Sequence, residues 1–528
     1  MEGKHHGRLR GGRHWGRVAH PGCTTTSSGG KIISQHSQPQ KPTAAVVSQH
    51  RHSTGEVPVT VVIVNWNRRD CVLSLLDSLL LLEHRALTVI VVDNASSDGS
   101  AEIIRNHPLS VTLLENWENL GGTGGFNTGI RHALEFSDQE FIWLLDNDAE
   151  VLQDTLDQLV GAMKRDSSIG VAGSCILSPE NRTVIVEAGG FVDRRSGTWT
   201  PNLRYQPYTP LQGKGLVEAV DYVPACSALV RVSVVRQIGQ LDERFFLHWD
   251  DIDFCARVRE AGYRVVSVLD SPAYHGAEKG YSSMTLYYDF RNALLYFGKH
   301  FNGVSLLRTY MNVLSNYMSS LVYMRLMGKT TLANYLGEGV CDFLAGRFGR
   351  SRTNPAALRE QPTSKHSVRD NSLCGCTKVI LFAVGSYEEI VSALAAVRVL
   401  SPLASLAVVV AADRAEAYRL PGVDRLIVYD LLKDGLAARL KTAGDILAER
   451  YSYGVTAGKG FTIPYAFLLG RNFTFEPDGA LALSEVSWKS VWKLPTALLL
   501  GKLCAALLLI PACAAARIRV KLAKEPSL

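Results

Sequence analysis

The sequence lacks the cysteine pattern of a zinc site or of a disulfide framework. Its ten cysteines are scattered along 528 residues, and only Cys374 and Cys376 stand close together. One C-x-C without a second cluster is a poor metal site, and the scatter reads as free thiols in a reducing compartment. The body of the chain also lacks net charge. Residues 1–56 hold eight Lys or Arg against Glu2 and Glu56, which is the whole formal excess of +6. Residues 57–528 balance at 48 against 48. A neutral body excludes a dedicated nucleic-acid binder, whose affinity comes from clustered bases that neutralise phosphates. No internal repeat of short period is present. Residues 1–56 also lack the continuous apolar core that a signal peptide requires. What remains is ordinary for a folded protein, with 46% hydrophobic and 20% charged residues. That composition rules out a wholly disordered chain, a collagen-like repeat and a bundle of membrane spans.

The length suggests two or three domains. The segment 1–56 mixes Gly, Arg, His, Ser and Gln, holds half of all histidines and is expected to be a disordered basic tail. The run Val57–Val64 is β-branched and apolar on both faces, as a buried parallel strand should be. A helix at about 70–82 and a second strand at 88–92 complete a βαβ unit, which predicts an α/β fold with a parallel sheet. Further strands are expected at 110–114, 141–145, 170–177 and 264–269. Residues 301–349 read as a helical extension of a first domain spanning 57–300. The Ser/Arg/Pro/Gln-rich stretch 350–376 reads as a linker. A second, smaller Rossmann-like α/β domain is expected over 377–487, followed by an apolar and basic C-terminal helix in 488–528.

Chemistry collects where the strands of the first domain end, the usual ligand site of open α/β sheets. The first strand runs into Asn65-Trp66-Asn67-Arg68, and the second into Asp93-Asn94-Ala95-Ser96-Ser97-Asp98-Gly99-Ser100. The latter suits either a turn with a helix cap or a carboxylate that accepts hydrogen bonds from a nucleoside. Asn119-Leu120-Gly121-Gly122-Thr123-Gly124-Gly125-Phe126-Asn127-Thr128-Gly129 is a glycine-dense stretch, expected to be a loop that approaches a ligand closely. It fits neither G-x-x-x-x-G-K-[ST] nor a dinucleotide fingerprint. Asp146-Asn147-Asp148 follows the apolar strand 141–145. Two carboxylates one residue apart suit a hard divalent cation that grips a diphosphate, whereas the plain alternative is an acidic turn. Adjacent Asp250 and Asp251 follow Phe245, Phe246 and Trp249, and such crowding can poise one of them as a general base. Asp253 and Arg257 stand four apart, as a structural ion pair on a helix would. His275, after a strand and an expected turn at Ser271-Pro272, can complete a metal site with the Asp pair.

In this order, V-V-I-V-N-W-N, V-V-D-N-A-S-S-D-G-S, L-L-D-N-D and F-F-L-H-W-D-D-I-D-F-C-A-R-V-R-E-A-G-Y-R-V resemble glycosyltransferase family 2. These are inverting nucleotide-sugar transferases of the GT-A fold. The likeness runs from about Val57 to His300. The loop N-L-G-G-T-G-G-F-N-T-G is similar to the rhamnosyltransferase and galactofuranosyltransferase branch. W-D-D, with His275 placed 24 residues after Asp251, is most like the galactofuranosyl members. Asn-Trp-Asn stands where many members carry Pro-Thr-Tyr, and W-D-D replaces the commoner Glu-Asp.

The resemblance implies a catalytic base at Asp251 with Asp250 beside it, and Mg²⁺ or Mn²⁺ held by Asp146, Asp148 and His275. Asn65, Asn67, Asp93, Asn119, Gly121, Gly122, Asn127 and Asp146 would surround a nucleotide-sugar donor. Trp249 would offer an apolar face to the acceptor, a glycan or lipid-linked saccharide of cell-surface polysaccharide synthesis. A nucleotidyltransferase would want a G-x-G-T-R-type loop after the first strand, where Asn65-Trp66-Asn67 stands. A non-catalytic scaffold of the same fold would be expected to lose Asp146, Asp148 or Asp251, and all three are present.

The second domain offers only Gly385-Ser386 and Gly458-Lys459-Gly460, which suit phosphate contacts or plain turns. Its alternative role is docking or acceptor presentation. Residues 496–516 carry one charge, Lys502, and are flanked by basic residues on both sides. That pattern predicts an in-plane or re-entrant helix, holding a cytoplasmic enzyme against the inner face of the membrane. The plain alternative is a helix packed in the second domain's core.

Overall fold

The computed structural model describes residues 57–522, apart from 85, 136–138, 180, 194–196, 210–216, 277–282, 354–375, 386, 413–414, 416–417, 430–435, 458–468, 470–471, 476–480 and 484–492. The basic tail, most of the expected linker, Ser386 and the G-K-G motif lie outside the described residues.

The first domain begins with β1 (Val59–Asn65), α1 (Arg69–Leu80), β2 (Leu87–Asp93), α2 (Ser100–Arg105), β3 (Val111–Glu115), α3 (Gly121–Ala133) and β4 (Phe141–Asp146). It continues with β5 (Ala149–Val151), α4 (Thr155–Arg165), β6 (Ile169–Leu177), β7 (Ile185–Glu187), β8 (Gly190–Asp193), β9 (Thr198–Pro201) and β10 (Val217–Ala219). Then come β11 (Ser227–Arg231), α5 (Val232–Ile238), α6 (Asp250–Glu260) and β12 (Arg264–His275). The main sheet has the order β10-β12-β6-β11-β4-β1-β2-β3, with β5 on β12 and β7 on β6. Strands β3, β2, β1 and β4 are parallel, and β11 runs antiparallel to β4 and β6. This is the mixed sheet of a GT-A-like fold.

Alternation along β1 explains the layers. Val59, Val61 and Ile63 pack with α1, α2 and α4 on one face, whereas Val62 packs with α3 on the other. The second core is continuous with α7 (Ser283–His300), α8 (Gly303–Leu326) and α9 (Thr330–Ala345). Hence the helices of 301–349 complete the core of the first domain instead of standing off it.

Two expectations are corrected. The glycine-dense stretch is the helix α3, not a loop. A Cβ at Gly125 would fall 2.5 Å from Val64 Cγ1, and one at Gly129 would collide with Val62. These glycines let the helix press onto β1, so packing overrides their low helix propensity. The expected turn at Ser271-Pro272 is an irregularity within the single strand β12, whose register against β6 shifts between Val268 and Pro272.

The second α/β unit contains β13 (Lys378–Ala383), α10 (Tyr387–Leu400), β14 (Ser405–Ala411), β15 (Arg425–Tyr429), α11 (Leu436–Ala448), β16 (Tyr453–Ala457), β17 (Asn472–Phe475) and β18 (Leu481–Leu483). Its order, β15-β14-β13-β16-β17-β18, is parallel except for the last pair, which is a Rossmann-like arrangement. The chain then forms α12 (Lys493–Leu522), which packs along α8 and into the first domain's core.

Candidate active site

In the main sheet the chain steps from β1 to β2 and β3 on one side and to β4 on the other, which makes a topological switch beside β1. The carboxyl ends of β1, β2 and β4 therefore place Asn65, Asp93 and Asp146 side by side. The turn after β4 carries Asp148, and β5 pairs antiparallel with the end of β12 so that His275 lies opposite Ala149. That pairing sets His275 Nε2 3.0 Å from Asp148 Oδ1 and 3.6 Å from Asp146 Oδ2. One ligand atom from each of the three lies within 4.8 Å of the others. Two carboxylates and an imidazole, all reachable from solvent, fit a hard or borderline divalent ion.

The charges at this cluster are mutually supporting. Burial works against a charged His275, but the hydrogen bond and charge of Asp148, with Asp146 and Glu187 behind, push it up to about 9. Burial likewise opposes a charged Asp148, yet His275 and Arg68 hold its carboxyl below the usual range. Desolvation pushes Asp146 up to about 6; His275 draws it back, and the charges of Asp148 and Asp250 add to the rise. A cation would relieve that crowding of carboxylates.

Asp250 and Asp251 open α6. The preceding loop holds Phe246, His248 and Trp249 at φ of 68°, 63° and 69°, a region that side chains with a Cβ rarely adopt. Three such residues cost about 1–3 kcal/mol each and persist only when neighbours impose them. The neighbours are Arg291 and Asn292, adjacent on α7 and wholly buried. Asn292 Nδ2 donates to the carbonyls of Phe245, Leu247 and His248 at 3.0, 2.8 and 2.9 Å. Arg291 donates to Phe245 O at 2.8 Å and to Gly349 O at 2.6 Å. Thr123 Oγ1, on α3, donates to Asp250 Oδ2 at 2.7 Å. Asp251 Oδ1 accepts from the Ile252 N–H at 2.7 Å. Burial raises the pKa of both acids, and in Asp251 the charges of Asp250 and Glu187 add to it. Thr123 thus pins Asp250, while burial and the neighbouring charge disfavour the ionised form of Asp251.

Because Asn292 clamps three carbonyls of a strained loop, Asn292→Ala should act on turnover more than on donor affinity. A displacement near 1 Å can cost about 10²-fold in rate. Single-turnover assays and donor titration of Asn292→Ala check this, with kcat falling and donor Kd held.

The other expected donor residues are placed as follows. Asn65 is buried; its amide donates to Asp93 Oδ1 (3.2 Å) and accepts from Asn147 Nδ2 (2.9 Å), locking the ends of β1, β2 and β4 together. Asp93 Oδ2 also accepts from the Ser96 N–H at 2.9 Å, so it shapes the turn at the cleft floor. Asn67, at φ 51°, accepts from the Ser97 N–H at 2.7 Å and is exposed at the rim. Asn119 Oδ1 accepts from the Gly121 N–H at 2.8 Å and caps the start of α3. Gly121, at φ 75°, lies against Phe246, and Gly122 faces Leu247, so both glycines fit α3 to the loop before Asp250.

Two assignments are corrected. Asn127 is a buried clip: its Nδ2 donates to Leu241 O at 2.9 Å and its Oδ1 accepts from the Leu241 N–H at 3.1 Å. No face of it is left for a donor. Trp249 is only 3% exposed, packed on Tyr296 and Phe297 with ring centroids 5.2 and 5.7 Å away, and cannot stack on an acceptor. The Asp253–Arg257 pair is structural as expected, at 2.9 Å, with Lys299 and His300 also on Asp253.

Several residues of the cleft have duties set by partners remote in sequence, Asn94 within the V-V-D-N-A-S-S-D-G-S motif among them. Asn94 is buried and joins Asn116, Asn119, Leu120 and Gly121 through its amide. Glu187, at the end of β7, accepts from Tyr222 Oη at 2.6 Å, and desolvation raises its pKa beside His275. Arg291 and Asn292 belong to an ordinary-looking helix. Spacing could have found none of them, since their partners lie 22 to 58 residues away.

Comparison with known proteins fits this geometry. The chain is 24% identical over 241 residues to a low-salt glycan biosynthesis hexosyltransferase of Haloferax volcanii, covering 45% of this chain and 74% of that protein. It is 28% identical over 224 residues to a galactofuranosyltransferase of Mycolicibacterium smegmatis, covering 41% and 70%. An N-acetylglucosaminyl-diphospho-decaprenol L-rhamnosyltransferase of Mycobacterium tuberculosis is 25% identical, at 41% and 75% coverage. Among solved structures, a mannosyltransferase of Pyrobaculum calidifontis in complex with GDP-Man and Mn²⁺ aligns with TM-score 0.36 and 18% identity, covering 58% of this chain and 79% of that one. The model of glycosyl transferase family 2 matches residues 60–239, which carry the sheet from β1 to β11 and the Asp146–Asp148 turn but not β12. The likeness to glycosyltransferase family 2 is thus carried by this domain, residues 60–239.

Proposed function

We propose that the chain is a metal-dependent, inverting hexosyltransferase. It would move a rhamnose- or galactofuranose-like sugar from a nucleoside diphosphate to a glycan or lipid-linked saccharide in cell-surface polysaccharide synthesis. The observation that carries this is one cleft with two acidic stations, Asp146/Asp148/His275 and Asp250/Asp251. In the reaction an acceptor hydroxyl oxygen attacks the anomeric carbon as Asp251 takes its proton. The bond from that carbon to the diphosphate oxygen breaks on the opposite face, so configuration inverts. Mg²⁺ or Mn²⁺ held by Asp146, Asp148 and His275 would act as a Lewis acid toward the leaving diphosphate. Asp93, buried at the end of β2, would accept from the nucleoside with the lone pairs that Asn65 and Ser96 leave, and exposed Asn67 lies at the rim. Thr123 holds Asp250 in place through its hydrogen bond, and Asn292 keeps the loop in place.

The galactofuranosyl and rhamnosyl relatives support the choice of sugar, and the decaprenol-linked acceptor in one relative's name supports a lipid-linked acceptor. Such an acceptor would be met by an enzyme held in the cytoplasm against the inner face of the membrane. Incubation with a panel of radiolabelled nucleotide sugars, with and without EDTA, tests the reading. Metal-dependent release of nucleoside diphosphate from one donor supports it, and inertness toward every donor in the presence of acceptor glycolipid would refute it.

A further inference from the structure

Among the described residues, exposed large apolar side chains gather on the outer face of α12, which lies antiparallel along α8. Lys493 Nζ is 3.8 Å from Met327 Sδ at one end. In the middle, a Cβ on Gly501 would fall 2.6 Å from Ser319 Cα. At the far end, one on Gly298 of α7 would fall 2.9 Å from Ala516 Cβ. The buried side of α12 is made of small residues, Ala497, Gly501, Ala505, Ala512 and Ala516. Leu508 and Leu509 are half-buried against the core, but most of the large side chains point the other way: Leu499 is 62% exposed, Leu503 55%, Leu507 79% and Ile510 78%.

That arrangement inverts the logic of a helix folded by water. Burial of a leucine releases far more free energy than burial of an alanine, so a water-facing helix turns its leucines inward. Lipid offers leucine no such incentive. Helices in lipid pack through small residues that let backbones approach, and present large apolar side chains outward. Among the described residues, Thr496–Ala516 is the one helix long and apolar enough to cross a bilayer, with mean hydropathy 2.2.

Charge points to the kind of surface. The 24 residues of α8 and the 30 of α12 contain no Asp or Glu at all. Their bases are Arg308, Arg325, Lys493 and Lys502, with Arg517, Arg519 and Lys521 in the last turns of α12. Lys502, Arg308 and Arg325 are exposed. Arg325 is engaged with Asn334 in a groove that also holds Glu338, which leaves Lys502 and Arg308 as the exposed bases beside the leucines. Leucines and bases on two helices that carry no acid are complementary to anionic headgroups over an acyl layer. Orientation follows from packing. The other side of α8 is buried with α7 and α9 in the core that holds Arg291 and Asn292, so a spanning α12 would carry the catalytic loop's supports into the bilayer. Lying in plane immerses only the outer face, and Lys502 can extend its amine to the headgroups.

We propose that the α8–α12 face docks this protein in plane on an anionic phospholipid surface. The outward leucines sit at the headgroup–acyl boundary and the bases meet lipid phosphates. This gives a physical form to the membrane-side acceptor proposed above, and its test does not use sugar transfer as the primary readout.

Full-length protein is mixed with vesicles of phosphatidylcholine alone or vesicles rich in phosphatidylglycerol, and floated through a density gradient. Wild type should float with the anionic vesicles, and less so as salt rises. The triple variant Leu503→Gln, Leu507→Gln, Ile510→Gln should lose about tenfold or more in vesicle affinity, with Tm and transfer to a soluble acceptor unchanged. Should the triple variant misfold, Ile510→Gln alone carries the same comparison. Wild type that stays at the bottom with both vesicles overturns the proposal, as does a folded variant that floats like wild type. If the variant instead turns a dimer into a monomer by light scattering, with no vesicle binding by either form, the face belongs to a second copy of the chain and the proposal fails. Vesicle binding without transferase activity would refute the proposed function and leave the docking surface standing.

Discussion

Asp251→Asn is expected to lower kcat by about 10²–10⁴-fold, the usual contribution of a positioned general base. Asparagine keeps the shape of the side chain and its acceptor oxygen for the Ile252 N–H, but cannot take a proton. Donor affinity should therefore survive, and isothermal titration with the nucleotide sugar separates loss of chemistry from loss of binding. The pH profile gives an independent reading. Burial, with the charges of Asp250 and Glu187 added, raises the pKa of Asp251. A base with a raised pKa is protonated and idle below it, so wild-type kcat/KM should climb with pH on the acid side and level off above that pKa. The climbing limb should vanish in Asp251→Asn. Full turnover in the variant, or an unchanged acid limb, would remove Asp251 from the base's role and turn attention to Asp250. The latter is the poorer candidate, because the Thr123 hydroxyl already occupies one of its oxygens at 2.7 Å.

Loss of the divalent ion should be of similar size. Chelation of the wild type, or Asp148→Ala, is expected to reduce transfer by about 10²–10⁴-fold, since Lewis-acid stabilisation of developing charge is worth several kcal/mol. Mn²⁺ or Mg²⁺ should restore the chelated wild type and fail to restore Asp148→Ala. A second readout needs no substrate. His275 carries a proton up to about pH 9 while it pairs with Asp148, and an imidazole must give that proton up to bind a metal. Titration of Mn²⁺ into the protein near neutral pH should therefore release a proton, and affinity should fall as pH falls. Calorimetry in buffers of different ionisation enthalpy measures the release. Metal binding with no proton released, or release unchanged in His275→Ala, would exclude His275 from the ligand set.

Parts of this protein are local in character, and those were legible without coordinates. The apolar runs that became β1, β2, β4 and β6 follow from apolar residues buried on both faces, β-branched in β1 and β2, a rule that needs no partner to be stated. The acids after strand ends, Asp93, Asp146 and Asp148, follow from chain direction in a parallel sheet, because each strand leaves its next residues on one rim. The four-residue spacing of Asp253 and Arg257 is a property of a single helix. The inverted seam of α12 is local only in part: composition marks the helix as apolar, but which residues face inward depends on α8.

The rest depended on distance in the chain. Nothing near Gly125 or Gly129 tells a flexible loop from a helix; the close approach of Val62 and Val64 decides it. Trp249 looked like a platform and became core, because Tyr296 and Phe297 close over it from a helix outside the motif. Asn127 turned from the cleft to the Leu241 backbone for the same reason. Arg291 and Asn292 hold the strained Phe245–Trp249 loop from more than 40 residues away. The amino-acid order therefore specified which chemistry is present and on which rim of the sheet it emerges, since those depend on neighbours one to four residues apart. Packing between remote segments assigned the duties, because a buried polar or aromatic group takes whatever partner the fold brings within 3–6 Å, and sequence spacing carries no record of that partner.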